Sequence, residues 1–175
     1  MKVLLDEKQI QDILADLCSR IVADTGRTED IAVIGIRSRG EILAQRLATC
    51  LTERIETEIP CGTLDITLYR DDLNHPQRDA QPQVRTTEIG FDIDGRIVIL
   101  VDDVLYTGRS ARAALDALID LGRPKAIKLA VLVDRKGREF PIQADYAGYK
   151  ADAEPDQNIQ VLLVESDGKE QVIID

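Results

Sequence analysis

The stretch Val98-Ile99-Leu100-Val101-Asp102-Asp103-Val104-Leu105-Tyr106-Thr107-Gly108-Arg109-Ser110 sets two chemistries side by side. Asp102 and Asp103 are adjacent carboxylates following an apolar run, and a Thr-Gly-Arg-Ser turn opens the next helix. That turn suits an anion, because backbone amides at a helix N-terminus are unpaired and the helix dipole favours negative charge. Gly108 admits a close approach of the backbone, while Thr107 and Ser110 add hydroxyl donors. The carboxylates repel a phosphate, so a neutral group belongs between them and the turn. A sugar with vicinal hydroxyls meets that need, and a ribose 5-phosphate fits the strip. The competing reading makes the aspartates strand-end caps and Ser110 an ordinary N-cap. Neither G-x-x-x-x-G-K-[ST] nor G-x-G-x-x-G occurs, so nucleoside-triphosphate and dinucleotide fingerprints are lacking.

Other anion-binding chemistry lies elsewhere along the chain. Gly35-Ile36-Arg37-Ser38-Arg39-Gly40 follows an apolar strand and precedes a helix, giving a second cradle of amides and guanidiniums. The polar stretch from Arg70 to Arg85 carries Arg78 and His75 among Asp71, Asp72 and Asp79. A loop of that length inside a compact domain is usually functional or mobile. Asp134 closes a further apolar run and leads into Arg135-Lys136-Gly137-Arg138.

The elements that position these residues follow from hydrophobic period. Helical stripes run from Asp6 to Ala23, from Ile42 to Leu51 and from Ser110 to Leu121, the last ended by Gly122 and Pro124. Near-continuous apolar runs at Ile31–Ile36, Ile97–Val101 and Ile127–Val133 read as strands buried on both faces of a parallel sheet. Leu64–Tyr69 alternates as a strand, and Asp94-Gly95 signals a hairpin turn after Glu88–Ile93. Gln160–Glu165 and Glu170–Ile174 flank a second hairpin signal, Ser166-Asp167-Gly168-Lys169. The sum is an α/β fold: an open, mainly parallel sheet flanked by helices, with a small β-rich lobe near the C-terminus. In such sheets ligands bind beyond the carboxyl ends of the strands.

Composition sets the outer bounds. The chain has 175 residues and a net charge of −10, which speaks against a surface that grips nucleic acid everywhere. One domain, residues 1–175, is expected, with no membrane-spanning run and a cytoplasmic location. Cys18, Cys50 and Cys61 form neither a disulfide framework nor a zinc pattern and are expected as buried thiols.

The segment Val98–Ser110 resembles the phosphoribosyl-pyrophosphate (PRPP) motif of type I phosphoribosyltransferases. Ile66-Thr67-Leu68-Tyr69-Arg70-Asp71-Asp72-Leu73 and Leu132-Val133-Asp134-Arg135 leading to Pro141-Ile142-Gln143-Ala144-Asp145-Tyr146 narrow the match. Over nearly the whole chain the sequence is similar to the bifunctional pyrimidine operon regulatory protein / uracil phosphoribosyltransferase family. The resemblance implies a type I phosphoribosyltransferase fold, with a flexible loop at about 70–85 and a hood at about 140–175 that includes an N-terminal contribution. It implies uracil + PRPP → UMP + pyrophosphate, dependent on Mg²⁺. Asp102, Asp103 and Arg39 would carry the chemistry. Ser38, Arg39, Gly40, Arg70, Arg85 and the run Asp102, Asp103, Val104, Leu105, Tyr106, Thr107, Gly108, Arg109 and Ser110 would bind PRPP or nucleotide. Val133, Asp134 and Arg135 would face uracil. Asp102, Asp103 and Asp134 would approach the metal through waters or ribose hydroxyls. The base for the uracil N1 proton is open between Asp103, a loop carboxylate, and none at all if uracil binds as its anion.

The family also implies uridine-nucleotide-responsive (UMP/UTP) binding of pyrimidine operon leader mRNA, transcription attenuation, and a homodimer or homotetramer. Arg123, Lys125, Lys128, Arg135, Lys136 and Arg138 are the cationic candidates for RNA, with surface charge as their alternative. The first helix, where relatives carry basic residues, reads Ala15-Asp16-Leu17-Cys18-Ser19-Arg20. A salvage phosphoribosyltransferase without RNA binding and a non-catalytic nucleotide-sensing regulator are the alternative functions.

Overall fold

The computed structural model describes residues 1–26, 28–72 and 85–175. His75 and Arg78 lie outside the described residues, whereas both arginines flanking the long loop, Arg70 and Arg85, lie within them. The elements are β1 (Lys2–Asp6), α1 (Glu7–Thr25), β2 (Ile31–Ile36), α2 (Arg39–Ile55), β3 (Cys61–Leu64), β4 (Ile97–Leu105), α3 (Arg109–Leu121), β5 (Ala126–Arg135), β6 (Tyr146–Ala151), β7 (Ile159–Leu162), α4 (Val164–Asp167) and β8 (Gln171–Ile174).

Five strands form one sheet in the order β3-β2-β4-β5-β6, every pairing parallel. Alternation along β4 sends Ile99 and Val101 into a core with α1 and α2, and Val98 and Leu100 into a core with α3. Both faces are therefore covered, which explains why β2 and the Ile97–Val101 part of β4 are unbroken apolar runs. Burial of each Leu or Ile in these layers contributes about 1.5–3 kcal/mol. The apolar stripes of α1 and α2, including Ile10, Leu17, Ile21, Leu43, Leu47 and Leu51, are spent on the first of these cores. Asp6 starts α1 through a capping box, accepting from the Gln9 amide at 2.9 Å while the Gln9 side chain accepts from the Asp6 amide at 3.0 Å.

A second, antiparallel sheet has the order β1-β8-β7. Leu5, Ile159, Val161, Val172 and Ile174 from this hood join the core that α1 and α2 share. The strand β6 belongs to the large sheet, so the hood's own strands span 2–6 and 159–174 instead of the expected stretch from about 140.

Two local expectations give way to side-chain chemistry. Leu64–Tyr69 is not one strand: β3 ends at Leu64 and Thr67–Tyr69 is a 3₁₀ turn. The Asp65 carboxylate accepts from the Thr67 amide at 3.1 Å and the Thr67 hydroxyl at 2.6 Å, and this Asx turn breaks the extended backbone. The turn at Asp94-Gly95 forms, with the Arg96 amide bonded to the Ile93 carbonyl at 3.2 Å, but Glu88 makes only an isolated bridge to Thr63. The late hairpin pairs β7 with β8 and carries α4 in its connection, where Gly168 takes a left-handed φ of 65°. Cys18 is buried as expected, Cys50 is half-buried and Cys61 is exposed. Among the described residues, no helix is long and apolar enough to cross a membrane.

Candidate active site

β4 runs on through Leu105, so Asp102 and Asp103 lie inside the final stretch of the strand and not past its end. Each carboxylate curls back onto the next amide. Asp102 Oδ1 accepts from Asp103 N at 2.9 Å, and Asp103 Oδ1 accepts from Val104 N at 2.8 Å. The two carboxyl groups also face one another closely enough for Asp103 to act on Asp102 through a side-chain hydrogen bond and through its charge. Burial and the neighbouring Asp103 push the Asp102 carboxyl well above the usual carboxylate range.

Beyond the carboxylates, Tyr106 and Thr107 lead to Gly108, which caps α3 in a left-handed conformation (φ 88°) with no side-chain cap. A Cβ on Gly108 would sit 3.3 Å from Phe140 Cβ, so this glycine serves both the turn and the packing beneath it. The Thr107 carbonyl accepts from the Glu139 and Phe140 amides at 2.9 and 3.1 Å. Arg109 turns away to bind Asp71, meets Glu139 at 2.5 Å, and lies 5.0 Å above the Phe140 ring. Val104 and Leu105 pack into the two cores, leaving backbone as their contribution to the turn.

The second cradle arrives on the adjacent strand. Gly40 sits so close to β4 that a Cβ would lie 2.6 Å from the Val101 carbonyl oxygen and 3.2 Å from Asp102 Cα. Gly40 therefore brings the start of α2 against the carboxylate strand, a packing role beside the cradle role its loop suggested. The Arg37–Ser38 peptide is cis, and Ser38 precedes α2 with an exposed side chain. Arg37 braces the loop by bonding the Thr86 carbonyl at 3.0 Å and pairing with Glu41 at 3.2 Å. Arg39 reaches the hood, where Nη2 donates to Asp167 Oδ1 at 2.9 Å.

The two arginines at the ends of the long loop differ in their contacts. Arg70 forms a fork with Asp72 at 2.9 and 2.6 Å, and the Arg85 amide donates to Asp65 at 2.7 Å while its side chain is exposed. At the end of β5, Val133 is fully buried and contributes no side chain to the surface. Asp134 pairs with Arg138. Arg135 is 4% exposed; it donates to the Gln157 and Glu154 carbonyls at 2.7 and 2.9 Å and stacks 3.9 Å from the Tyr106 ring centroid. It is thus a strut between β5 and the hood approach, its guanidinium bonded to backbone carbonyls. Arg138 went unassigned in the sequence beyond its charge, yet it donates to the Tyr106 carbonyl at 2.7 Å and to Ile142 O at 2.8 Å. No periodic signal marked it, because Asp134 lies at the end of a strand and Arg138 in the irregular segment that follows. Asp134, Arg135, Lys136, Arg138, Lys150, Ala151 and Asp152 line a cleft of about 420 Å³ at this end of the sheet.

Comparison with known proteins agrees with this geometry. The phosphoribosyl transferase domain family model matches residues 2–168. The bifunctional protein PyrR of Deinococcus radiodurans is 50% identical over 169 residues, covering 97% of this chain and 91% of that one. The bifunctional protein PyrR of Alkaliphilus metalliredigens is 50% identical over 173 residues, covering 98% and 93%. Among solved structures, the hypoxanthine phosphoribosyltransferase of Trypanosoma cruzi superposes with a TM-score of 0.73 at 19% identity, covering 99% of this chain and 95% of that one, a likeness of fold. A carboxylate strand feeding an uncapped helix, a second cradle packed on it through Gly40, and these relatives together place the chain in the phosphoribosyl transferase domain family and, within it, among the PyrR proteins.

Proposed function

We propose that this chain transfers a 5-phosphoribosyl group from PRPP to uracil, yielding UMP and pyrophosphate, and that it also acts as a uridine-nucleotide-responsive regulator that binds pyrimidine operon leader RNA. The observation that carries the enzymatic half is the juxtaposition, through Gly40, of the Asp102/Asp103 strand with the Arg39 loop at one sheet edge. The carboxyl oxygens of Asp102 and Asp103 accept ribose hydroxyls, the α3 amides hold the 5-phosphate, and Arg39 meets the diphosphate. As the C1–O bond to pyrophosphate breaks, positive charge builds on the ribose and negative charge on the leaving group. The carboxylates lie beside the first and the guanidinium beside the second, so each charge develops against a fixed opposite partner. Uracil enters the cleft at the end of β5, where backbone around Lys136–Arg138 offers the donor and acceptor pattern its edge requires.

The donor chemistry fits magnesium, a hard cation that takes oxygen ligands and keeps its waters. Asp102 and Asp103 are the residues that would hold it. Among the described residues no group of three or more His, Cys, Asp or Glu could hold a metal alone, which suits an ion shared with substrate phosphates. Such an ion would neutralise diphosphate charge. Asp134, committed to Arg138, takes part only through water.

For RNA, the six cations singled out in the sequence do not act as one free patch. Arg135 is buried, Arg138 pairs with Asp134, Lys136 with Asp152 at 2.6 Å, and Lys128 with Asp24 at 3.2 Å. The bifunctional relatives and the sequence resemblance support the regulatory half, and assembly into a dimer or tetramer is part of the same reading. The test is PRPP-dependent nucleotide formation across uracil, orotate, hypoxanthine and guanine, with Asp102→Asn/Asp103→Asn as the control. Turnover with uracil that vanishes in the double variant is expected; near-normal turnover by that variant refutes the site. Gel-shift titration with leader RNA and UMP across salt tests regulation, and absence of a shift at every salt concentration refutes it.

A further inference from the structure

The start of α2 is gripped by the hood at two places. Arg39 and Arg46, seven residues apart and so nearly two turns along one helix face, reach the same hood turn. Arg46 forks onto Glu165 at 2.9 and 2.6 Å and onto Glu170, on either side of the turn. Between them Asp167 takes Arg39.

Asp167 is itself immobilised. Its Oδ2 accepts from the Ser166 hydroxyl at 2.6 Å and the Leu163 amide at 2.9 Å, leaving Oδ1 for Arg39 Nη2 at 2.9 Å. The Ser166 hydroxyl, the Leu163 amide and then Arg39 hold this carboxyl below the usual carboxylate range, so it is an anion at neutral pH. On the other partner, Arg39 Nε is buried and unpartnered, and the guanidinium is secured to the protein by Nη2. One donor is used and Nη1 is left over. A carboxylate that blocked the arginine would occupy its fork with both oxygens, as Asp72 does to Arg70.

We infer that Asp167 is a positioning residue for the phosphoribosyl-transfer site: from the hood, it fixes the Arg39 guanidinium at the rim of the carboxylate strand so that its remaining edge receives a diphosphate. The inference rests on the proposed phosphoribosyltransferase reading. An arginine released from Asp167 samples many rotamers and must be re-ordered each time the anion binds. Immobilising one such side chain in advance is worth about twofold to twelvefold in affinity. The hood thereby acts on the leaving-group end of the site through a single ion pair.

The experiment measures pyrophosphate binding by calorimetry with the full chain and magnesium, together with the KM values for PRPP and uracil. Asp167→Asn keeps an acceptor for the Leu163 amide but turns an NH₂ toward Arg39. It is expected to weaken pyrophosphate and raise the PRPP KM about tenfold, with the uracil KM unchanged. Asp167→Glu, which restores the charge, recovers most of that loss. The unchanged uracil KM and the rescue by Asp167→Glu separate positioning of the diphosphate end from a general loosening of the hood. Asp167→Ser repeats the test if the Asn variant fails to fold. If Arg39→Ala loses pyrophosphate while both Asp167→Asn and Asp167→Ser bind as the parent does, Asp167 is not positioning anything and the transferase reading stands. If the parent fails to bind pyrophosphate, or Arg39→Ala binds it equally well, the role given to Arg39 falls and this inference falls with it.

Discussion

Gly40→Ala tests whether the two cradles depend on one another through backbone contact. The added Cβ would lie 2.6 Å from the Val101 carbonyl oxygen and 3.2 Å from Asp102 Cα, where real Cβ contacts essentially never fall below 3.0 Å. No flexible side chain is there to yield, so α2 must retreat from β4 by at least about 0.4 Å at its first turn. Overpacking of this kind costs about 1–3 kcal/mol. At this size that lowers Tm by roughly 2–12 °C. The same retreat carries Arg39 away from Asp102, and since ångström-scale misplacement can cost about a hundredfold, a loss of about tenfold in kcat/KM for PRPP is expected. Gly90→Ala is the control: no atom lies within 4 Å of where its Cβ would stand, and its φ is outside the left-handed region, so Tm and turnover should hold. Steady-state kinetics and calorimetric melting of both variants decide the matter. If Gly40→Ala melts and turns over like Gly90→Ala, the cradles are not held together by this contact and the reasoning fails.

Other expectations follow from buried charge. Arg135→Ala strands the Gln157 and Glu154 carbonyls and should cost about 3 kcal/mol in urea unfolding; a loss of uracil affinity at unchanged stability would return Arg135 to the ligand. Arg46→Ala leaves Glu170, whose side chain is only 5% exposed, without its cation; a loss of about 2–3 kcal/mol is expected, with faster amide exchange confined to β7, α4 and β8. Asp102 binds its proton more tightly in the folded chain than in the unfolded one. Its contribution to stability is therefore full below the ordinary carboxylate pKa and is lost as pH rises towards the raised folded value. Asp102→Asn should flatten that slope, and melting temperatures that track the parent at every pH would contradict it.

Legibility in the sequence depended on how much of each element's surface was buried. β2 and the Ile97–Val101 part of β4, covered on both faces, are continuous apolar runs. β6 was missed because Tyr146-Ala-Gly-Tyr-Lys-Ala is an edge strand of small and mixed residues without a period. β3 was displaced by three residues because the turn-forming power of Asp65 outweighs the alternation of Leu64, Ile66 and Leu68. At the site, residue types pointed to the carboxylate pair and to the two turns proposed as anion cradles. Pairing could not be read the same way, since Arg39–Asp167, Arg109–Asp71 and Arg135 with Gln157 join distant segments. The charges were visible, and their partners were set by the fold.

The stack of Tyr106 on Arg135 bears on how such a scaffold can be re-engineered. Tyr106 comes from the turn proposed to hold the phosphate and Arg135 from the strand on the proposed base side, while Arg138 holds the Tyr106 carbonyl and Gly137 leaves room for the ring. A chimera that imports residues 134–152 from a transferase with another base preference would import the supports of its own phosphate turn. Donor segments that keep Arg135, Gly137 and Arg138 can be exchanged as a cassette; those that lack them bring a new base pocket and forfeit the old sugar-phosphate grip.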